Sequence, residues 1–175
     1  MELPVKKFVS FVLVLTVLIL SVSCGNEEPK DIPGMIKAAY SQLESEKWIK
    51  SLPAAKELSY SDERDVKYHL GLSLDAVAKK IESAYYSCSD IQPSTYELNM
   101  VKVKDGVDKD ALVREMVSGV NLRKWICVGA AQAGGAYFGD YIVCIIGSDA
   151  EIDAVFAAFS ALYPDMSEIV YKVER

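Results

Sequence analysis

The sequence predicts an α+β domain: an antiparallel sheet of about four strands in ββα–ββα order, packed with helices and preceded by N-terminal helices. Three observations predict it. Two pairs of strand-like runs occur, and each pair is followed by a helical pattern. The run YIVCIIG, Tyr141–Gly147, is apolar throughout, as a central strand covered on both faces must be. Two helical stretches precede the first strand pair, and the first of them is the natural cover for the sheet's second face.

The amino end is an address rather than part of the core. Lys6 and Lys7 precede an apolar run from Phe8 to Leu20 that only Ser10 and Thr16 interrupt. Ser21, Val22, Ser23 and Cys24 follow, and the chain then turns polar at once. A spanning helix needs about 20 apolar residues, and this run is shorter. A positive start, a short apolar middle and a small-residue end form the pattern of an export signal. The stretch LSVSC has the form of a bacterial lipobox, with Ser21 where leucine is favoured, so Cys24 is the expected lipid-attachment residue. Residues 1–23 are read as a lipoprotein signal peptide, 24–32 as the lipidated cysteine and a polar spacer, and 33–175 as one α+β domain. Each buried CH₂ of an acyl chain contributes about 0.8 kcal/mol, so two chains hold a protein firmly where one does not. Loss of residues 1–23 removes Lys6, Lys7 and Glu2, leaving 17 basic against 24 acidic residues, a net charge of −7. Anionic lipid would repel that surface, so the lipid anchor must do the holding.

Pro33 suits a first helical turn, and Ile36, Ala39, Tyr40 and Leu43 continue at helical spacing, which predicts a helix from Pro33 to about Lys50. Ser61 is a candidate cap for a second helix carrying Val66 and Leu70 and stopped by Gly71. Leu74–Lys79 adds another turn. KIESAYYSCS and TYELNMVKVKD are strand candidates. In the latter, Tyr96, Leu98 and Met100 share one face, and Val101 and Val103 take over on the other; that change of phase implies a bulge or a strand covered on both sides. Asp108 caps a helix expected to run to about Ile126, with Leu112, Met116 and Val120 on one face. Gly139-Asp140 between apolar runs signals a two-residue hairpin. Ser148 and Glu151 form a capping box for a helix burying Ile152, Val155, Phe156 and Phe159, which Pro164 ends. EIVYKVE has the residues of one last short strand.

The pieces GLSLDAV, YELNMVKVKD and GDYIVCIIGSDAEIDAVFAAF, in that order behind a lipobox, resemble domain-of-unknown-function family 4358 of bacterial lipoproteins, found mostly in Gram-positive species. The likeness covers most of Ile36 to Leu162. It implies an exported, lipid-anchored domain, and it carries no catalytic or binding residues across.

Composition excludes some functions. A net charge of −6 with no basic patch argues against nucleic acid. Cys88, Cys127 and Cys144 are far apart, His69 is the one histidine, and no zinc-ligand spacing occurs, so no metal and no cofactor is expected. Cys88, Cys127 and Cys144 read as small core residues, Cys144 most plainly because it sits inside an apolar strand, with a Cys88–Cys127 bridge as the alternative that export permits. His69, at a helix end, reads as meeting carbonyls or the helix dipole, with no orienting partner visible. Asp149, Glu151 and Asp153 read as dipole complements rather than a calcium loop, because the required glycine is absent. GAAQAGGAYFGD reads as a flexible connection or, more sharply, a ligand-gating loop. Tyr85, Tyr86, Tyr96, Tyr137 and Tyr141 fall on or beside strands. Tyr85, Tyr96 and Tyr137 are the candidates for an aromatic ledge binding a ligand, and Trp48 and Trp125 read as core or lid residues. No catalytic residue is assigned. These observations predict a membrane-tethered, non-catalytic module that binds an envelope protein or a small ligand. The alternatives are a cell-envelope enzyme whose site assembles only in three dimensions and, third, a purely structural accessory subunit of a membrane complex.

Overall fold

The computed structural model describes residues 31–43, 53–88 and 94–175. The signal segment, Cys24, the spacer before Asp31 and Trp48 lie outside the described residues. The elements are α1 (Ile32–Ser41), β1 (Lys56–Glu57), α2 (Glu63–Leu70), α3 (Leu74–Lys80), β2 (Ile81–Cys88) and β3 (Glu97–Val103). Then come α4 (Lys109–Gly119), β4 (Gln132–Phe138), β5 (Tyr141–Gly147), α5 (Asp149–Leu162) and β6 (Tyr171–Glu174). The strands form one antiparallel sheet in the order β1-β2-β3-β5-β4-β6. It has six strands rather than about four. β1 is too short, at two exposed residues, to show any alternation, and β6 is a half-buried edge.

Both faces of the sheet are covered. Leu70, Val77, Leu112, Val113, Met116 and Val117 from α2, α3 and α4 pack on Ala84, Val101, Ala133, Ile142, Cys144 and Ile146. On the opposite face Ile36 and Tyr40 of α1 join Ile152, Phe156 and Phe159 of α5 over Leu98, Met100, Val143 and Ile145. The first of these is called the α4 face below, the second the α5 face. Each aliphatic side chain so buried contributes about 1.5–3 kcal/mol, which is why the all-apolar β5 needs two covers. β3 itself stays regular between its two covers; the slip of register falls in β2, between Ile81 and Ser83.

The helix ends follow their capping residues. Asp31, Asp62, Ser73 and Asp108 each accept a backbone N–H of the first turn, so α2 begins at Asp62 rather than Ser61. Gly71, at φ 70, ends α2, and the Ser148–Glu151 capping box opens α5. The hairpin turns at Gly139-Asp140 with Phe138 opposite Tyr141. Three expectations about helices and loops fail. α1 ends at Ser41, capped by Gln42, rather than running to about Lys50. α4 stops at Gly119, well short of Ile126. There a Cβ would lie 2.1 Å from the Gly71 carbonyl oxygen; the ends of α2 and α4 touch backbone to backbone, and Val120 leaves in an extended conformation. The glycine-rich stretch is strand β4 and not a loop. A Cβ on Gly135 would meet Val113 at 2.7 Å and Val117 at 2.9 Å, so the glycine lets α4 sit directly on the sheet.

Candidate functional site

A cluster of polar and charged side chains sits on the α4 face, where an apolar cover would be expected. Glu97 opens β3 on that face and is 1% exposed; Asn99, two residues on and therefore on the same side, is wholly buried. Their cross-strand neighbours are Cys88 and Tyr86 on β2, and Ile146 and Cys144 on β5. A carboxylate buried among such groups is costly unless its oxygens are fully engaged.

Three elements supply the donors. His69 comes from the last turn of α2, its ring stacked on Tyr86 at 3.9 Å and edge-on to Tyr68 at 5.0 Å. Its Nδ1 lies 3.0 Å from Glu97 Oε1. Asn99 donates its side-chain N–H to the same oxygen at 2.9 Å. Lys124, from the segment after α4, places Nζ 2.7 Å from Glu97 Oε2, and the Lys124 and Glu97 side chains are only 2% and 1% exposed. Nζ also donates to the Tyr68 carbonyl at 2.9 Å and lies over the Tyr68 ring at 4.3 Å. Burial alone would push the Glu97 carboxyl up. The hydrogen bond from His69 and the charge of Lys124 outweigh it and hold the group below the usual range, hence ionised.

An ionised carboxylate only accepts, so His69 Nδ1 carries a proton, and Nε2 has no hydrogen-bond partner among the described residues. The histidine expected to meet helix carbonyls is instead turned onto the sheet and oriented by Glu97. Asn99 Oδ1 is buried without a partner among the described residues. Cys144, beneath the cluster, has its thiol pushed up to about 12 by burial and is inert at neutral pH. No disulfide joins Cys88, Cys127 and Cys144.

The Lys124–Glu97 pair fixes the segment from Val120 to Ala131. Ala130 N–H bonds Leu122 O at 2.9 Å and closes the loop at its base. Trp125 is 9% exposed and packs into the α4-face core. The next residue, Ile126, is 84% exposed, and Cys127 follows at φ 64, a left-handed conformation that costs a non-glycine residue roughly 1–2 kcal/mol. The loop thus has two inward anchors, Lys124 and Trp125, and an outward apolar tip.

The tyrosine candidates are not brought together. Tyr96 is 4% exposed on the α5 face, its hydroxyl 2.9 Å from that of Tyr40, which in turn donates to Ser87. Burial pushes Tyr40 up to about 12 and also raises Tyr96 well above the usual tyrosine range. Tyr85 is half-buried on the same face, whereas Tyr137 packs on the opposite one under Lys109. Glu151 serves the capping box, and Asp149 pairs with Lys172 at 2.9 Å. Among the described residues no group of three His, Cys, Asp or Glu is placed to hold a metal, and no helix is long and apolar enough to cross a membrane. The sequence reading missed Glu97, Lys124 and Ile126. The signal for the first was present: Glu97 and Asn99 are polar at alternate positions of a strand otherwise apolar on that face.

No family model matches the chain, and neither a curated protein nor a solved structure matches it.

Proposed function

We propose that the chain is a bacterial lipoprotein of the family 4358 kind, tethered through Cys24 to the outer face of the cell membrane, where it binds an envelope protein through the tip of the 120–131 loop. The observation that carries the binding half is Ile126: a large apolar side chain 84% exposed, directly after Lys124 and Trp125, whose side chains are buried. An apolar side chain that an anchored loop already presents to water costs less ordering when a partner covers it, and buried anchors of this kind dominate interfaces. The anchor half is supported by the Lys6-Lys7 start, the apolar run and the small residues before Cys24.

A photo-crosslinking residue at position 126, in cells expressing the full chain, is the test. One envelope protein should be captured there, and its yield should fall when Lys124→Met releases the loop. A residue on the exposed side of α1, such as position 37, should capture nothing. Equal labelling at positions 126 and 37, or none at 126, refutes the reading.

One observation favours an enzyme instead. Glu97 orients His69 so that Nε2 can take a proton, as a general base requires, and Cys88 is opposite Glu97 across the strands. If His69 activates that thiol, alkylation of Cys88 by iodoacetamide at neutral pH should slow at least about tenfold in His69→Gln. An unchanged rate removes this reading.

A further inference from the structure

Strand β6 is the outer edge of the sheet, and its sequence is complementary to itself. Its register with β4 pairs Tyr171 with Gly135, Lys172 with Gly134, Val173 with Ala133 and Glu174 with Gln132. Arg175 N–H continues the ladder to Ala131 O at 2.9 Å. In an antiparallel ladder the backbone groups of alternate residues face alternate neighbours. Val173 and Arg175 therefore spend theirs on β4, and the N–H and C=O groups of Lys172 and Glu174 point outward. No backbone group among the described residues meets them.

We propose that this edge joins the same edge of a second copy, antiparallel about a two-fold axis at Val173, to make one continuous twelve-strand sheet across two molecules. The register follows from parity and charge. Only outward-facing residues can exchange hydrogen bonds, which leaves three symmetric registers on this short strand. One sets Lys172 against its own copy and another sets Glu174 against its own copy, and like charges directly opposite are destabilising. The third places Lys172 opposite Glu174 of the second copy, twice over, with Val173 beside Val173 on the α4 face. That register makes four backbone hydrogen bonds and two ion pairs.

A lysine on an edge strand ordinarily keeps foreign strands away. Here Glu174, exposed and without an ion-pair partner among the described residues, answers it two positions later. The pair admits a copy of this chain in one register and disfavours strands that lack the matching charges. Lys172 already bonds Asp149 at 2.9 Å, so its ammonium is held on the α5 face, the side on which Glu174 of the second copy would arrive. Two four-residue edges bury little area, so the dimer is a weak one.

The test is sedimentation equilibrium of the full chain in detergent, over a wide range of protein concentration. The wild type should pass reversibly from monomer to dimer. Glu174→Lys, which leaves the Lys172–Asp149 pair alone, should weaken the dimer about tenfold or more. The exchange K172E/E174K, made with Asp149→Asn so that the glutamate at 172 does not face the carboxylate that Lys172 bonds, should bring it back to within about threefold of wild type, since it restores both opposite-charge pairs between the copies. Far-UV circular dichroism shows whether each variant is folded. If the wild type stays monomeric throughout, the edge is left to solvent or to a strand of another protein, and the proposal is wrong. It is equally wrong if Glu174→Lys dimerises as wild type does, or if the exchange fails to rescue a folded Glu174→Lys.

Discussion

Replacing Lys124 by methionine removes the charge that neutralises Glu97 while keeping most of the apolar stem. The pair is close, at 2.7 Å, and the two side chains are 2% and 1% exposed, so water cannot take over the lost contact. Breaking one side of such a buried pair costs about 3–5 kcal/mol, a large share of the roughly 5–15 kcal/mol that a domain has in total. With a urea m-value of about 2 kcal/mol/M, the midpoint should fall by roughly 1.5–2.5 M. The pH dependence is the sharper signature. In the wild type the folded-state value of Glu97 lies below the unfolded one, so its contribution is present above the unfolded carboxyl range and is lost as pH falls through the folded value. Without Lys124, burial, the largest single influence on this group, is opposed by His69 and Asn99 alone, and the folded value moves above the unfolded one. Protonation then favours the folded state, and the damage is relieved as pH falls. Urea unfolding between about pH 7 and pH 5 should therefore show the gap between variant and wild type closing. The double variant E97Q/K124M, with neither charge, should be more stable than K124M at pH 7. A loss below about 1 kcal/mol, or a gap that does not change with pH, would refute the argument that this pair fixes the loop.

The remaining predictions concern other parts of the fold. Tyr40→Phe should destabilise by about 1–2 kcal/mol, because it breaks the hydroxyl chain from Tyr96 to Ser87 inside the α5-face core; thermal melts would measure it. Gly119→Ala should be among the most damaging small substitutions, since its Cβ would fall 2.1 Å from Gly71 O, whereas Gly106→Ala meets nothing within 4 Å and should cost only about 1 kcal/mol for its left-handed backbone. In native protein Cys127 should react with a maleimide at once, and Cys144 only after unfolding; early labelling of Cys144 would contradict its burial beneath the charged cluster. Ser148→Ala should cost about 1 kcal/mol in urea unfolding by removing the α5 capping box.

Local signals carried the fold a long way. The Gly139-Asp140 turn, the Ser148–Glu151 box, the stop at Gly71 and the all-apolar Tyr141–Gly147 each act within a few residues, and each is where the sequence placed it. The change of phase at Val101 left a bulge and a doubly covered strand both open; β3 is the doubly covered strand, without a bulge. What could not be read was set by distant contacts. Gly135 and Gly119 looked like loop and helix-interior residues, because nothing near them in sequence shows that α4 or Gly71 lies against their backbones. β1 is a strand only by virtue of pairing with Tyr85 and Tyr86. The candidate site was less legible still. His69, Glu97 and Lys124 are separated by 28 and 27 residues, and none has a local reason to be buried. Only the polar pair Glu97 and Asn99, on a face that otherwise had to be dry, pointed there.

The account of an outward-facing module on a lipid tether is tested most directly at residue 24. Mass spectrometry of the amino-terminal peptide, from chain extracted from the membranes of cells that make it, should find a peptide beginning at Cys24 with a diacylglycerol thioether on its sulfur. A peptide that still carries residues 1–23, or a Cys24 with an unmodified thiol, would contradict it.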